Sequence, residues 1–320
     1  EFRRVLFRSA TGKVGVCSVT HGPGVSRLAT SLIMGARYRV PLVVHCGTTG
    51  LNRDNAMQFL DQGPLVNATG AGYIEVQRPD YAESAVRQAF YRARKEGRPI
   101  VLSIPIDVAT QECNASGEAY VSSVQMFPGQ QRIRPDVDQL EAAANIVAAC
   151  RKPIILVGRG AMDSSTLPVI ERLGERIGAL IAPTLHAKSA LSDSAYYAGI
   201  AGLFSTRVFI DLCSEADCVI AVGTSMNNYS VLVKGTPLYP NARVVHIDVA
   251  PHLMMGNGRG ADCYVQGDAA VTVKALEELL QQRKVSQTGF RTPSVKKALQ
   301  DRSEEHTSEL QSHSFISYAV

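Results

Sequence analysis

The sequence predicts an α/β protein with two three-layer units, each built on a mainly parallel sheet. Short runs of β-branched residues alternate with helical patterns along most of the chain, as they do where parallel strands are joined by helices. The polar stretch 113–135 interrupts this alternation and predicts a linker between the units. A chain of 320 residues also has about the length of two domains.

The first unit is predicted from apolar runs and the turn residues between them. Asp80 followed by Glu83 has the spacing of a capping box and predicts the start of a helix. This helix is expected to end at Gly97, because Pro99 blocks its continuation. The other elements expected here are strands over 13–19, 41–46 and 100–104 and a helix over 26–37.

The second unit follows the same alternation and is expected to form its own α/β core. Its predicted helices cover 136–150, 167–177 and 269–283, and its predicted strands cover 154–157, 180–182, 218–222 and 243–247. The polar residues 284–301 are expected to be a linker to a further domain.

The two ends of the chain are related at the level of DNA. One codon choice for residues 1–9 has a reverse complement that translates as Arg-Ser-Glu-Glu-His-Thr-Ser-Glu-Leu, the sequence of residues 302–310. This DNA resembles a short-read sequencing adapter, and residues 316–320 fit its continuation. We therefore expect 1–9 and 302–320 to be non-native tails that do not pack on the core, although 304–311 has some helix propensity.

Composition argues against several classes of function. A net charge of +4 without any Lys/Arg block gives no support for binding to nucleic acid or to a membrane surface. No apolar run approaches the roughly 20 residues of a membrane helix. The 7 cysteines include no Cys-x-x-Cys pair and mostly lie in apolar runs, which predicts buried, reduced thiols in a cytoplasmic protein.

The motif that most suggests a ligand is Thr-His-Gly-Pro-Gly at residues 20–24. It follows a predicted strand and precedes a predicted helix. Glycine can adopt a positive φ and lets the backbone approach a flat ligand, and the amides at a helix start can face an anion. A plain tight turn between strand and helix explains the same residues equally simply.

Three further segments follow this turn in order. They are Val-Pro-Leu-Val-Val at 40–44, Asn-Ala-Met-Gln-Phe at 55–59, and Gly-Arg-Pro-Ile-Val-Leu-Ser-Ile-Pro-Ile-Asp-Val at 97–108. The ordered set resembles the pyrimidine-binding domain of thiamine diphosphate (TPP) enzymes, most closely the acetolactate synthase-like group. The stretch from Lys-Pro-Ile-Ile-Leu-Val-Gly-Arg-Gly at 152–160 to His-Ile-Asp-Val-Ala-Pro at 246–251 resembles the family's central domain.

The resemblance implies roles for five residues. Gly22, Pro23 and Gly24 would lie against the aminopyrimidine ring of thiamine diphosphate, and Gln58 would point toward the reacting end of the cofactor. His21 stands where many relatives have serine. It is either a proton donor or acceptor near the substrate, or a structural histidine at a strand end.

The resemblance also implies two parts that the printed chain does not carry. The family's catalytic glutamate precedes the Gly-Pro-Gly turn, and Glu75 and Glu83 lie too far downstream to replace it. The family's Gly-Asp-Gly…Asn segment, which holds Mg²⁺ and the diphosphate, belongs to a C-terminal domain. We therefore expect 10–112 to be a partial pyrimidine-binding domain, truncated at its N-terminus so that it lacks an opening strand and helix. Residues 136–283 are expected to be a complete central domain.

The parent enzyme is expected to use thiamine diphosphate and Mg²⁺ to decarboxylate a 2-oxo acid and to join the product to a second carbonyl. It is expected to form a homodimer or homotetramer, and this fragment alone is expected to be inactive. A 2-oxo acid decarboxylase or a 2-hydroxyacyl-CoA lyase on the same scaffold stays open.

Glycine-rich strand ends in the second unit suggest nucleotide binding as a further alternative. The segments 158–160 and 223–225 and the acidic Asp248 each follow a predicted strand, although no Gly-x-Gly-x-x-Gly is present. The resemblance also raises FAD, which the central domain binds in acetolactate synthases. Residues 185–189 depart from the glycine-containing segment that the family has at this place. This departure disfavours FAD binding and favours a spacer domain that supports the dimer. A non-catalytic module that binds NAD or ADP is the alternative from another functional class.

Overall fold

The computed structural model describes residues 13–50, 55–112, 119–127, 132–250, 255–256 and 258–309, with only the backbone over 302–309. It divides into two compact units, Glu1–Gln131 and Arg132–Val320. The predicted tail 1–9 and residues 310–320 lie outside the described residues. Residues 302–309 continue the last helix, as their propensity predicted.

The first unit contains a four-stranded parallel sheet flanked by helices. Its strands are β1 (Gly15–Val19), β2 (Leu42–Thr48), β3 (Gly72–Glu75) and β4 (Pro99–Pro105), in the order β1-β2-β4-β3. Its helices are α1 (Pro23–Arg27), α2 (Ala29–Arg37), α3 (Gln62–Ala68), α4 (Ala82–Glu96), α5 (Ile106–Ala109) and α6 (Ser123–Met126). The predicted helix over 26–37 is present as α1 and α2, which meet at Leu28.

Alternating side chains of this sheet pack into a helix layer on each face. On one face Val44 is buried with Leu32 of α2 and Val66 of α3. On the other face Val43 is buried with Ala85 and Ala89, which are spaced to lie on one side of α4. These two apolar layers give the α/β/α arrangement that the sequence predicted.

The predicted capping box at Asp80 is wrong. Helical backbone begins earlier, in a 3-10 turn over Pro79–Tyr81, and α4 follows from Ala82 without a side-chain cap. Proline is favoured at the first helical position because its φ is already fixed there. Asp80 therefore has helical rather than extended backbone and pairs instead with Arg78, at 3.4 Å.

The described part of the predicted linker is folded against the first unit. Arg87 of α4 donates from Nε to the carbonyl oxygen of Val121 at 2.8 Å, and Arg94 donates from Nη2 to Ser123 Oγ at 2.7 Å. The division between the units falls after residue 131. Of the described residues in this stretch, 119–127 therefore belong to the first unit and 132–135 to the second.

The second unit contains a five-stranded parallel sheet in the order β11-β10-β7-β5-β6. Its strands are β5 (Pro153–Val157), β6 (Leu180–Pro183), β7 (Cys218–Val222), β10 (Arg243–Asp248) and β11 (Cys263–Gln266), and β8 (Leu232–Val233) and β9 (Thr236–Pro237) form an antiparallel pair. Its helices are α7 (Val137–Ala149), α8 (Leu167–Ile177), α9 (Arg207–Glu215), α10 (Asn228–Val231), α11 (Ala269–Gln282) and α12 (Pro293–Glu309).

Helices again cover both faces of this sheet. Ile155 and Ile220 are buried with α7, α8 and α11 on one side, and Ile154 and Val219 are buried with Phe209 of α9 on the other. The central strands are accordingly apolar throughout, as expected for a parallel sheet buried on both faces. The prediction of two three-layer α/β units is confirmed.

Two predictions about membranes and cysteines can be compared with the described residues. No helix within them is both long enough and apolar enough to cross a membrane. The cysteines of the described ranges are free thiols, five of them buried and Cys263 half-buried. Cys113 lies outside the described residues.

Residues 284–301 pack on the second unit rather than extending away from it. Phe290 is 2% exposed, and Leu299 of α12 is also buried in the α9 side of the core. Arg291 donates to the carbonyl oxygen of Ala179 at 2.9 Å and to Glu171 at 3.0 Å. The prediction of a linker described the polar composition of this stretch but missed its two apolar anchors.

We expect a Phe290→Ala substitution to destabilise the second unit by about 3 kcal/mol, since it empties a closely packed apolar site. The free energy of unfolding would be measured in urea. Lys297→Ala is the control, because Lys297 is exposed on α12. Equal stability of the two variants would show that 284–301 contributes nothing to the core.

Candidate functional site

The candidate site lies at the carboxyl edge of the first unit's sheet. The Thr-His-Gly-Pro-Gly turn at 20–24 directly follows β1. Strands β2 and β4 run parallel to β1 and end nearby, at Thr48 and Pro105. In open α/β sheets, ligands bind outside the carboxyl ends of the strands, so the fold places the predicted motif where a ligand is expected.

The backbone of Gly22 lies directly against the backbone of Gln58. Gly22 precedes α1 with a φ of +58°, and a Cβ atom added there would lie 2.3 Å from the carbonyl oxygen of Gln58. Only glycine fits this position without displacing one of the two segments. The structure therefore brings together the two parts of the motif that the resemblance connected, and the side chain of Gln58 is exposed beside the turn.

His21 lies over the end of β2. A Cβ added to Gly47 would be 3.9 Å from both Cβ and Nδ1 of His21, which is half-buried. Pro23 is exposed, and a Cβ at Gly24 would meet Thr20 Cγ2 at 3.0 Å. The five predicted site residues thus share one edge of the sheet, while their catalytic and binding roles stay predictions.

Gln62 is a site residue that sequence reasoning missed. It begins α3, is buried, and donates from Nε2 to the carbonyl oxygen of Gly47 at 2.9 Å. Its Oε1 accepts a hydrogen bond from the Cys46 thiol at 3.2 Å. Burial raises the pKa of that thiol to about 11, so it stays protonated at neutral pH and serves as a donor rather than a nucleophile. No sequence signal distinguishes Gln62 from a polar residue at any helix start.

No metal site accompanies these residues in the part of the chain that the structure describes. Groups of three or more His, Cys, Asp or Glu side chains that could hold an ion are absent from it. The exposed surface of Pro23, with the half-buried Gly24 and His21 beside it, is by contrast open to a flat ring. The turn therefore leaves an exposed surface where the resemblance would place the aminopyrimidine ring, and no described residue is assigned to Mg²⁺.

The glycines at the strand ends of the second unit are explained by close backbone packing. Gly158 donates its amide to Val222 at 2.8 Å, and Gly160 donates to Gly223 at 2.9 Å. A Cβ on Gly158 would lie 2.1 Å from the carbonyl oxygen of Gly223. Because these amides already have backbone acceptors, they are not presented to a phosphate, which weighs against the nucleotide-binding alternative.

Two domains of one known enzyme family match the chain, one in each unit. Residues 5–65 match "Thiamine pyrophosphate enzyme, N-terminal TPP binding domain", and residues 140–276 match "Thiamine pyrophosphate enzyme, central domain". The chain belongs to the thiamine pyrophosphate enzyme family. The recognition made from the ordered motifs is confirmed, and the Gly-Pro-Gly turn lies inside the matched thiamine pyrophosphate-binding domain.

Curated members of the family with similar sequences are acetolactate synthases. The chain is 31% identical over 281 residues to that of Mycobacterium avium, covering 86% of this chain and 44% of that protein. It is 30% identical over 285 residues to that of Mycobacterium leprae, covering 87% of this chain and 44% of that protein. The chain thus spans less than half the length of these acetolactate synthases.

A solved structure shares the fold. It is an X-ray structure of an enzyme from Mycobacterium smegmatis assigned as thiamin diphosphate-dependent, with a TM-score of 0.71 and 21% sequence identity. The similarity covers 86% of this chain and 52% of the other. At this sequence identity the comparison supports the α/β fold of the chain and nothing further.

We expect a Gly22→Ala substitution to disrupt the candidate site. Alanine would have to adopt a positive φ and its Cβ would collide with Gln58, so the first unit should lose about 1–3 kcal/mol of stability. Thermal unfolding would measure the loss of stability, and the amide NMR resonances of 55–62 would report the displacement of the Gln58 segment. Gly24→Ala is the comparison, because the atoms nearest to an added Cβ there would be side-chain carbons of Thr20 and Val19, at 3.0–3.7 Å, rather than the backbone of another segment. An unperturbed Gln58 segment in Gly22→Ala would contradict the contact.

Proposed function

We propose that this chain is part of an acetolactate synthase-like, thiamine diphosphate-dependent enzyme that acts on 2-oxo acids. The observation that supports the proposal is the contact between Gly22 and Gln58, which brings the turn at 20–24 against the Asn-Ala-Met-Gln-Phe segment at 55–59. The acetolactate synthases among its relatives favour decarboxylation followed by carboligation.

The residues of the turn would hold one half of the cofactor. Thiamine diphosphate, when bound, supplies the electron sink that lets a bond next to a carbonyl carbon break. The exposed Pro23 and the side-chain-free Gly22 and Gly24 would support its aminopyrimidine ring. Gln58 would offer an amide near the reacting end, and His21 would exchange a proton with the substrate or fix the neighbouring strand end.

The rest of the proposal concerns the whole enzyme. Mg²⁺ would be bound together with the cofactor's diphosphate, and none of the described residues of this chain is proposed as its ligand. The substrate would be a small 2-oxo acid, the enzyme would be a cytoplasmic homodimer or homotetramer, and the second unit would act as a spacer without FAD. Neither nucleic acid nor a membrane would be a partner.

A chimaera tests this proposal. Residues 13–301 would replace the matching part of the Mycobacterium avium acetolactate synthase, and pyruvate turnover would be followed with thiamine diphosphate and Mg²⁺. Acetolactate as the product would support the proposal, and acetaldehyde alone would support the decarboxylase alternative. A folded chimaera that binds the cofactor but turns over neither pyruvate nor a 2-hydroxyacyl-CoA would contradict the proposal and the two alternatives on the same scaffold.

A further inference from the structure

A single buried amide connects the parts of the candidate site. Gln62 is 3% exposed, and its side chain bonds to two consecutive residues at the end of β2. Its Nε2 donates to the Gly47 carbonyl oxygen at 2.9 Å, and its Oε1 accepts from Cys46 Sγ at 3.2 Å. Buried polar groups of this kind fix a structure strongly, because an unmade hydrogen bond there is costly.

The strand end that Gln62 holds lies beneath His21. The space beside Gly47 where a Cβ would stand is 3.9 Å from His21 Nδ1, so a displacement of this strand end would move the surface on which the imidazole rests. Along the chain, Gln62 follows Gln58 by four residues and begins the helix that comes after the Gln58 segment. The carbonyl oxygen of Gln58 in turn packs against Gly22.

The orientation of the Gln62 amide is determined by its neighbours. A protonated thiol on Cys46 can donate, and the carbonyl of Gly47 can only accept. The amide oxygen must therefore face Cys46 and the amide nitrogen must face Gly47. A residue without the amide oxygen would remove the acceptor of the buried Cys46 thiol, and one without the amide nitrogen would remove a donor to the half-buried Gly47 carbonyl.

We propose that Gln62 is a positioning residue of the candidate site. Its amide fixes Gly47 beneath His21 and holds the Gln58 segment against the Gly22 turn. The catalytic use of this arrangement rests on the proposed function, whereas the hydrogen bonds of Gln62 do not depend on it.

The test compares Gln62→Met with Val66→Ala. Methionine keeps the volume of Gln62 but removes both hydrogen bonds, whereas Val66→Ala removes buried methyl groups from the same helix and leaves both of those hydrogen bonds in place. Both variants should melt at a lower temperature than the parent chain. Only Gln62→Met should shift the imidazole resonances of His21 and the amide resonances of Gly22 and Gly47.

Gln62→Asn is a second variant for the case in which Gln62→Met does not fold. It keeps an amide but shortens the side chain by one methylene, so it cannot make both hydrogen bonds in their present geometry and should move the same resonances. Positioning by Gln62 is overturned if Val66→Ala shifts the His21 and Gly22 resonances as much, or if a folded Gln62 variant leaves them in place.

The chimaera described above separates this inference from the proposed function. In it, loss of a supporting hydrogen bond should weaken thiamine diphosphate binding roughly tenfold in Gln62→Met and leave Val66→Ala unaffected. If the folded chimaera has no thiamine-dependent activity but Gln62→Met still moves the His21 resonances of the purified chain, the positioning role is supported and the proposed function fails.

Discussion

Purified on its own, the chain is expected to show no thiamine-dependent decarboxylase or carboligase activity. The glutamate that activates the cofactor and the Mg²⁺-diphosphate segment, both implied by the family resemblance, are absent from the printed sequence. The loss should amount to many orders of magnitude, since one catalytic hydrogen bond alone is worth roughly 10² to 10³ in rate.

The measurement is pyruvate consumption with saturating thiamine diphosphate and Mg²⁺. A full-length acetolactate synthase, such as that of Mycobacterium avium, assayed in parallel shows that the conditions support turnover. Pyruvate turnover by the purified chain that requires both added cofactors, and that Gly22→Ala abolishes, would contradict the expectation that the chain alone is inactive.

A Gly223→Ala substitution is expected to destabilise the second unit by about 2–6 kcal/mol. Gly223 has a φ of +60°, and an added Cβ would lie 2.6–2.7 Å from backbone atoms of Gly160 and Ala161. The strained backbone and the overpacked strand ends each cost about 1–3 kcal/mol. Because the neighbours of the added Cβ are backbone atoms, they cannot move aside as a flexible side chain could.

Gly235→Ala is the matched control for this prediction. Gly235 has a φ of +82°, but an added Cβ would meet nothing within 4 Å. The difference in unfolding free energy between the two variants therefore isolates the close packing. If both variants lose the same stability, the glycine-rich strand ends are not packed as described and the nucleotide-binding interpretation regains support.

The strands and most long helices could be predicted because each is encoded locally. Apolar runs such as Pro153–Val157 and Cys218–Val222 are buried on both faces, and no other placement would suit them. The helix ending at Gly97 was also local information, since that glycine adopts a positive φ and its amide bonds to Ala93. The short α3 and β3 carry too few apolar positions to be recognised by periodicity.

Features that depend on contacts between distant segments could not be predicted. Gln62 matters because of hydrogen bonds to β2, and no pattern around it reports them. Glycine-rich strand ends look alike whether they bind a phosphate or pack on one another, and only the distance from Gly158 to Gly223 distinguishes the two. The polar composition of 284–301 likewise concealed the burial of Phe290.

The central claim is that the turn at 20–24 carries the aminopyrimidine half of a thiamine diphosphate site. NMR titration of the isotope-labelled chain with thiamine diphosphate, and separately with ADP, tests it most directly. We expect thiamine diphosphate to shift the amides of Gly22 and Gly24 and the side-chain amide of Gln58, with those of Gly158 and Gly223 unchanged and with no response to ADP. Shifts confined to Gly158 and Gly223, or caused by ADP alone, would contradict the claim.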